Sequence, residues 1–237
     1  MNPSVSVVMP VGCGDRYFRL ALGCFLGQDY EGTLEVIILD NSPASIECLL
    51  PSDPRVRYFR CERMSIGALR NLGASYATGD IIVNGDEDDW SHPNRIASQV
   101  NRLQTSGKAV TGFHNILFFS TDDNQCWKYY FIKPSSSYGV QAQHPPYACG
   151  TSQCYTRAWW QQHKYQHISK GEDYWFQAEA AAAGQLDSVD AEQLCIARAH
   201  KDSTCPPLFG HAQFPSVPRT YFPNEFFTAV GSSVLPA

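Results

Sequence analysis

Nine cysteines are spread over 237 residues, yet no two stand as a CxxC pair, which removes the usual dithiol-redox and zinc-ribbon signatures. An odd count without such pairs fits free thiols in a reducing, cytoplasmic compartment. No apolar run approaches the roughly 20 residues that a membrane helix needs. No charged segment followed by an apolar core marks an export leader. Excess base is missing too: 18 Lys and Arg face 23 Asp and Glu, a net charge of −5, so there is no electrostatic footprint for nucleic acid. The one basic stretch, Arg55, Arg57, Arg60 and Arg63, alternates with apolar residues and reads as the wet face of a strand. There is no HExxH, so His163 and His167, four residues apart, read as surface histidines.

What is present is enough apolar residue, 43% of the chain, for one globular domain with a substantial core. The first half alternates strands and helices. Residues 4–9, 34–39, 56–61 and 80–84 are short β-branched runs that stop at Pro, Gly, Asp or Asn. Between them, Phe18, Ala21, Leu22, Phe25 and Leu26 recur at helical spacing, as do Ile66, Leu69, Gly73, Tyr76 and Ala77, with Gly79 as a stop. Asp89 or Ser91 is placed to cap a further helix with Pro93 in its first turn and Ile96, Val100 and Leu103 as its buried stripe. This alternation predicts a mostly parallel sheet flanked by helices, in which ligands bind beyond the carboxyl ends of the strands.

The second half changes character. Residues 109–119 and 126–132 flank TDDNQ and predict a hairpin, and residues 133–146 are rich in Ser, Pro and Gly and predict a loop. Residues 150–155 lead as a strand into a helix at Trp159-Trp160. A helix opens at Gly171-Glu172-Asp173 and ends at Gly184, and residues 194–199 form a last strand with His200 just past it. From Cys205 onward, prolines at 206, 207, 215, 218 and 223 among aromatics predict an irregular arm, either a lid or a subunit contact in a homodimer.

The segment 79–93, GDIIVNGDEDDWSHP, sets four consecutive acids where a buried strand ends. Carboxylates this close repel unless water, a cation or a basic partner compensates them. A transferase that breaks a bond to a nucleoside diphosphate needs that compensation: a divalent ion held by one or two carboxylates and the phosphates stabilises the leaving charge. Asp86-Glu87-Asp88 has the D-x-D spacing, although a lone D-x-D is common by chance. Glu172 and Asp173, taken alone, equally suit a helix start complementing its dipole.

Several segments in order carry more than the acids do. VSVVMP, VIILDNSP, GALRNLGASYATGDIIVNGDEDDWSHPNRI and KGEDYWFQAEAAAAG together resemble the family 2 glycosyltransferases of the GT-A fold, over about residues 4–200. The resemblance implies a single α/β domain with a mostly parallel, Rossmann-like mixed sheet. Residues 1–105 would form the donor-binding half, 106–204 the acceptor and catalytic-base half, and 205–237 the arm. It implies an inverting, metal-dependent transfer of a sugar from a nucleotide-sugar, with UDP-sugar the modal donor and GDP- and dTDP-sugars open.

Carried over by position, Pro10 and Asp40 would lie at the donor, Asp40 bonding its base, and Arg70 beside the nucleotide. Asp86 would face ribose or metal-bound water, and Glu87 would also lie at the donor. Asp88 would bind Mn²⁺ or Mg²⁺ directly, with His200 as a further metal or diphosphate contact and Asp89 orienting the turn. Which of Asp86, Asp88 and Asp89 touches the metal stays open. Asp173 would be the base, with a pKa depressed by its helix N-terminus.

The loop PVGCGDR departs from the family's aromatic-Asn pair, and Gly12 and Gly14 predict flexibility there. No Q-x-x-R-W motif of the processive synthases is present, which favours single addition. A nucleotidyltransferase and a non-catalytic nucleotide- or sugar-binding module are the alternatives. The acceptor is open among glycans, lipid-linked sugars and proteins, with nucleic acid the least favoured.

Overall fold

The structure, a computed structural model, describes residues 2–14, 17–130, 147–190, 192–200, 203 and 215–234. The expected loop at 133–146 lies outside these residues. Strands β1 (Val5–Val11), β2 (Leu34–Asp40), β3 (Val56–Arg60) and β4 (Ile81–Asn84) lie parallel in the order β3-β2-β1-β4. Their alternation divides the core. Val5, Val7, Met9 and Val11 of β1 join a buried cluster with helices α1 (Phe18–Leu26) and α3 (Arg95–Ser106). Val8 instead joins α2 (Ile66–Tyr76) and, farther along the chain, α5 (Glu172–Ala182). With both faces covered, β1 and β2 read as continuous apolar runs. Gly73 lets α2 sit close to the sheet, since a Cβ there would lie 2.4 Å from Val8 Cγ1.

The same sheet continues through the second half. β8 (Cys154–Thr156) runs antiparallel between β4 and the long β6 (Val110–Ser120), and α4 (Arg157–Gln162) follows it. β6 makes the predicted hairpin with β7 (Cys126–Tyr130) and pairs in parallel with β10 (Cys195–Ala199). Two reversals across β8 leave β6 and β10 pointing the same way as β4. The carboxyl ends of β1, β2, β4 and β10 therefore share one edge.

Several expectations are corrected. Asp89 and Ser91 do not cap α3: Trp90–Ser91 is a short strand, β5, antiparallel to β10, and α3 begins at Asn94 without a side-chain cap. Asp89 instead accepts the Arg198 N–H at 3.0 Å. Gly79 does not close α2, which ends with Ala77 extended; Gly79 is needed where the chain crosses β1, because a Cβ would lie 2.7 Å from the Ser6 nitrogen. β9 (Leu186–Asp190), parallel to the first half of β6, had no counterpart in the sequence reading. The described part of the arm holds a helix the sequence reading did not place, α6 (Asn224–Val234), with Phe226 buried against Trp90 and Phe119. Among the described residues no helix is long and apolar enough to cross a membrane, and the described cysteines are free thiols.

Candidate active site

A cleft of about 870 Å³ opens along the shared edge, and it is lined by Pro10, Arg70, residues 86–89, Glu172, Asp173 and Arg198. It brings together the loops after β1, β2 and β4, the start of α5 and the end of β10. The RNLG segment of α2 explains itself here. Arg70 faces the cleft, Asn71 accepts from Trp160 Nε1 and the Tyr165 N–H at 3.0 Å each, and Gly73 seats the helix on the sheet.

The four consecutive acids go to four different partners. Asp86 accepts from Arg70 Nη2 at 3.0 Å. Glu87 accepts from the backbone of the loop after β1. Asp88 Oδ2 lies 3.0 Å from His200 Nε2. Asp89, buried, accepts from β10, and burial, followed by the like charges of Asp88 and Asp86, pushes its carboxyl well above the usual range.

Two buried arginines face this acidity. Arg70 is 3% exposed, and its Nε lies 3.5 Å from Glu172, so one guanidinium spans the acidic turn and the start of α5. Burial alone would weaken its charge, but the surrounding Asp86, Glu172 and Asp173 hold it protonated. Arg198, also 3% exposed, donates from Nη1 to the Asp88 carbonyl at 2.6 Å and lies over the Tyr17 and Phe226 rings. Its Nε and Nη2 have no hydrogen-bond partner among the described residues. Buried guanidinium N–H groups left open are costly unless an anion meets them. Arg198 was missed from sequence; the only signal was a cation two residues before His200 in a strand of otherwise small and apolar residues.

Asp173 sits in the first turn of α5 without a depressed pKa. Burial pushes its carboxyl up, against the opposing pull of Arg70, because desolvation outweighs the helix dipole here. Glu172 is raised for the same reason. Room for Asp173 comes from Gly150, where a Cβ would lie 2.4 Å from Asp173 Oδ2. A base held above its ordinary value is the stronger proton acceptor.

Asp40 is where the arrangement departs most from expectation. It is fully buried, takes hydrogen bonds from Tyr58 Oη (2.6 Å), the Ile46 N–H (3.1 Å) and the Ser42 hydroxyl, and pairs with Arg60 at 2.8 Å. Burial would raise its carboxyl, but the bonds from Ser42 and Tyr58 prevail and bring it down to about 2. Direct contact with a base is not provided for, since both oxygens are occupied; Asp40 shapes the loop instead.

Among the described residues no three metal-ligating side chains gather. Asp88 and His200 offer one oxygen and one nitrogen, a set that suits a divalent ion only if a ligand's oxygens complete it. The positive charge of Arg198, in the same cleft wall, suits the same anionic ligand.

The chain matches the model of glycosyl transferase family 2 over residues 6–169. It belongs to that family. An uncharacterized glycosyltransferase of Rickettsia typhi is 28% identical over 142 residues, covering 59% of this chain and 44% of that protein. One of Haemophilus influenzae is 29% identical over 129 residues, covering 52% and 51%. The chain thus spans about half the length of these relatives, or less. In structure it resembles residues 1–349 of S. aureus TarS in complex with UDP-GlcNAc, with a TM-score of 0.67 and 14% identity, covering 84% of this chain and 60% of that one. The same TarS segment with UDP gives a TM-score of 0.65 at 15% identity, covering 83% and 60%. The fold is that of these GT-A glycosyltransferases, as the family 2 resemblance implied.

Proposed function

We propose that this chain transfers a glycosyl unit from a nucleotide-sugar to an acceptor hydroxyl in one inverting displacement. The observation that carries this reading is Arg70, whose guanidinium joins Asp86 to Glu172 and so places the acidic turn and the base-bearing helix in one cleft. A binding module has no need of a half-buried carboxyl of raised basicity at that point, whereas a transferase does.

Asp173 takes the proton as the acceptor O–H bond breaks. The acceptor oxygen forms its bond to the anomeric carbon while the bond from that carbon to the phosphate oxygen breaks, and the nucleoside diphosphate leaves with the electron pair. Arg198, in the cleft wall, supplies positive charge on the side of the diphosphate. Asp88 and His200 would hold a divalent cation together with the phosphates, and the cation, when bound, neutralises the leaving charge. Pro10 lines the donor end of the cleft, and Asp40 holds the loop beside it. Uridine is the first nucleotide to test, because the TarS likeness includes UDP and UDP-GlcNAc complexes.

The test is calorimetric titration of UDP, GDP and dTDP with and without Mn²⁺, on the parent protein and on Asp88→Asn. Metal-dependent binding of one nucleotide, lost in the variant, is expected. A folded protein that binds none of the three would end this reading.

A further inference from the structure

Glu87, the middle residue of the D-x-D spacing, turns away from the cation pair and into the loop after β1. Its Oε1 accepts the N–H groups of Gly12 (2.7 Å) and Cys13 (3.2 Å), and its Oε2 accepts that of Gly14 (2.8 Å). Successive amides aimed at one point, with Gly14 in the left-handed region at φ 58°, make a concave nest of the kind that binds anions. Here the anion is a side chain of the protein itself. Space at Gly14 is fixed from the far side, because a Cβ there would lie 2.2 Å from Ile46 Cγ2, and the Ile46 N–H bonds Asp40. The contacts thus run from the acidic turn to the loop after β1 and on to the loop after β2.

The flanking acids diverge, Asp86 to Arg70 and Asp88 to His200. In a turn this short, holding the middle side chain by three backbone hydrogen bonds fixes the frame from which its neighbours project. The glycines flanking Cys13 would otherwise leave the loop loose.

We infer that Glu87 is a positioning residue: it pins the acidic turn to residues 12–14 and so aims Asp86 and Asp88 at opposite walls of the cleft. This replaces the expected contact of Glu87 with the donor, since both of its oxygens are engaged. The inference goes beyond the transfer activity proposed above and holds whatever the cleft binds.

Two substitutions separate reach from charge. Glu87→Gln keeps the length and one acceptor oxygen but loses the charge. Glu87→Asp keeps the charge but is one methylene too short. Amide hydrogen exchange of residues 12–14 is followed by NMR on both variants and the parent, alongside calorimetry with UDP and Mn²⁺. In Glu87→Gln the Gly12 and Cys13 amides stay protected while Gly14 becomes fast, and nucleotide affinity stays within about threefold of the parent. In Glu87→Asp all three amides become fast and affinity falls about tenfold or more.

The reverse ranking, with Asp retaining affinity and Gln losing it, would assign Glu87 a direct electrostatic role and overturn the pin. Unchanged protection of the three amides in both variants would overturn it as well. A parent protein that binds no nucleotide defeats the proposed transfer activity, yet the exchange pattern still decides the role of Glu87.

Discussion

Asp40 and Asp173 both stand where an element meets the cleft, one at the end of β2 and one in the first turn of α5, and the protein treats them in opposite ways. Asp40 is surrounded by donors and an arginine and is held at about 2. Asp173 is half-buried with less compensation and is pushed above its ordinary value. At the end of β2 the buried acid is fully satisfied, and its partners add stability. The start of α5 keeps a carboxyl whose charged form burial disfavours; on the reading proposed above, that site serves chemistry at a cost in stability.

The strongest way to break this contrast is Asp173→Asn. Transfer should fall about 10²- to 10⁴-fold, the usual contribution of a general base, measured as nucleotide release in the presence of acceptor. Nucleotide binding should persist. The same variant should gain stability at neutral pH, by about 0.5–2 kcal/mol in urea unfolding. The sign follows from the raised folded pKa: the protonated acid favours folding below the unfolded value of 3.8, and that contribution is lost as pH rises through the folded value. The gain should therefore vanish below pH 3.8. For activity, the acid limb of the pH–rate profile should lie above the ordinary aspartate range. Gly150→Ala, which pushes a methyl into the carboxylate, should also lose transfer while still binding nucleotide.

Next in size is Arg95, which ties the two sides together. Fully buried, it donates to the Asn84 carbonyl at 2.9 Å, just before the acidic turn, and to the Thr151 carbonyl at 2.5 Å, beside Gly150. Its other bonds reach Ser91, Gln99 and the Cys195 sulfur. Arg95→Leu leaves these acceptors buried without a donor and should cost about 3–5 kcal/mol, read as a lower urea midpoint with an unchanged slope. A loss below 1 kcal/mol would mean that the two sides hold together without it.

Asp40→Asn tests the donor side. A folded pKa of about 2 against 3.8 unfolded contributes about 2 kcal/mol of stability above the unfolded value. That contribution disappears as pH falls through the folded value. The variant should lose about this much at pH 7 and show a flatter stability profile between pH 4 and 2 than the parent. Equal slopes in the two proteins would show that the loop, rather than the charge, determines this site.

The same division decides what could be read from sequence. The parallel half was legible because its signals are local: apolar runs, helical spacing and the ordered segments from VSVVMP to the acidic turn. β9 was not, since LDSVD is short and half exposed and becomes a strand only by pairing with β6. α6 was masked by the prolines around it, although Phe222 and Phe226 share a helical spacing. Arg198 and the raised carboxyl of Asp173 depend on burial, which comes from packing between distant segments. The dipole argument for Asp173 was local and lost to that packing.

The smallest effect separates how the two helices that face the cleft begin. α2 starts with a side-chain cap, Ser65 Oγ accepting the Ala68 N–H at 3.3 Å. α5 has no such cap and starts from Gly171 at φ 79°. A Cβ at Gly171 would meet nothing within 4 Å, so Gly171→Ala acts through backbone strain alone and should cost about 1 kcal/mol. Ser65→Ala should cost about the same, by losing the cap. Their effects on function should differ. Relaxing φ at residue 171 turns the first residues of α5 and moves Asp173, so kcat should fall more than nucleotide affinity. Fraying at Ser65 loosens the turn that leads to Arg70, and nucleotide affinity should fall more than kcat. If both variants lowered the same parameter, the cleft would respond as one unit, and the distinction between a stable donor side and a reactive acceptor side would not extend to the helix starts.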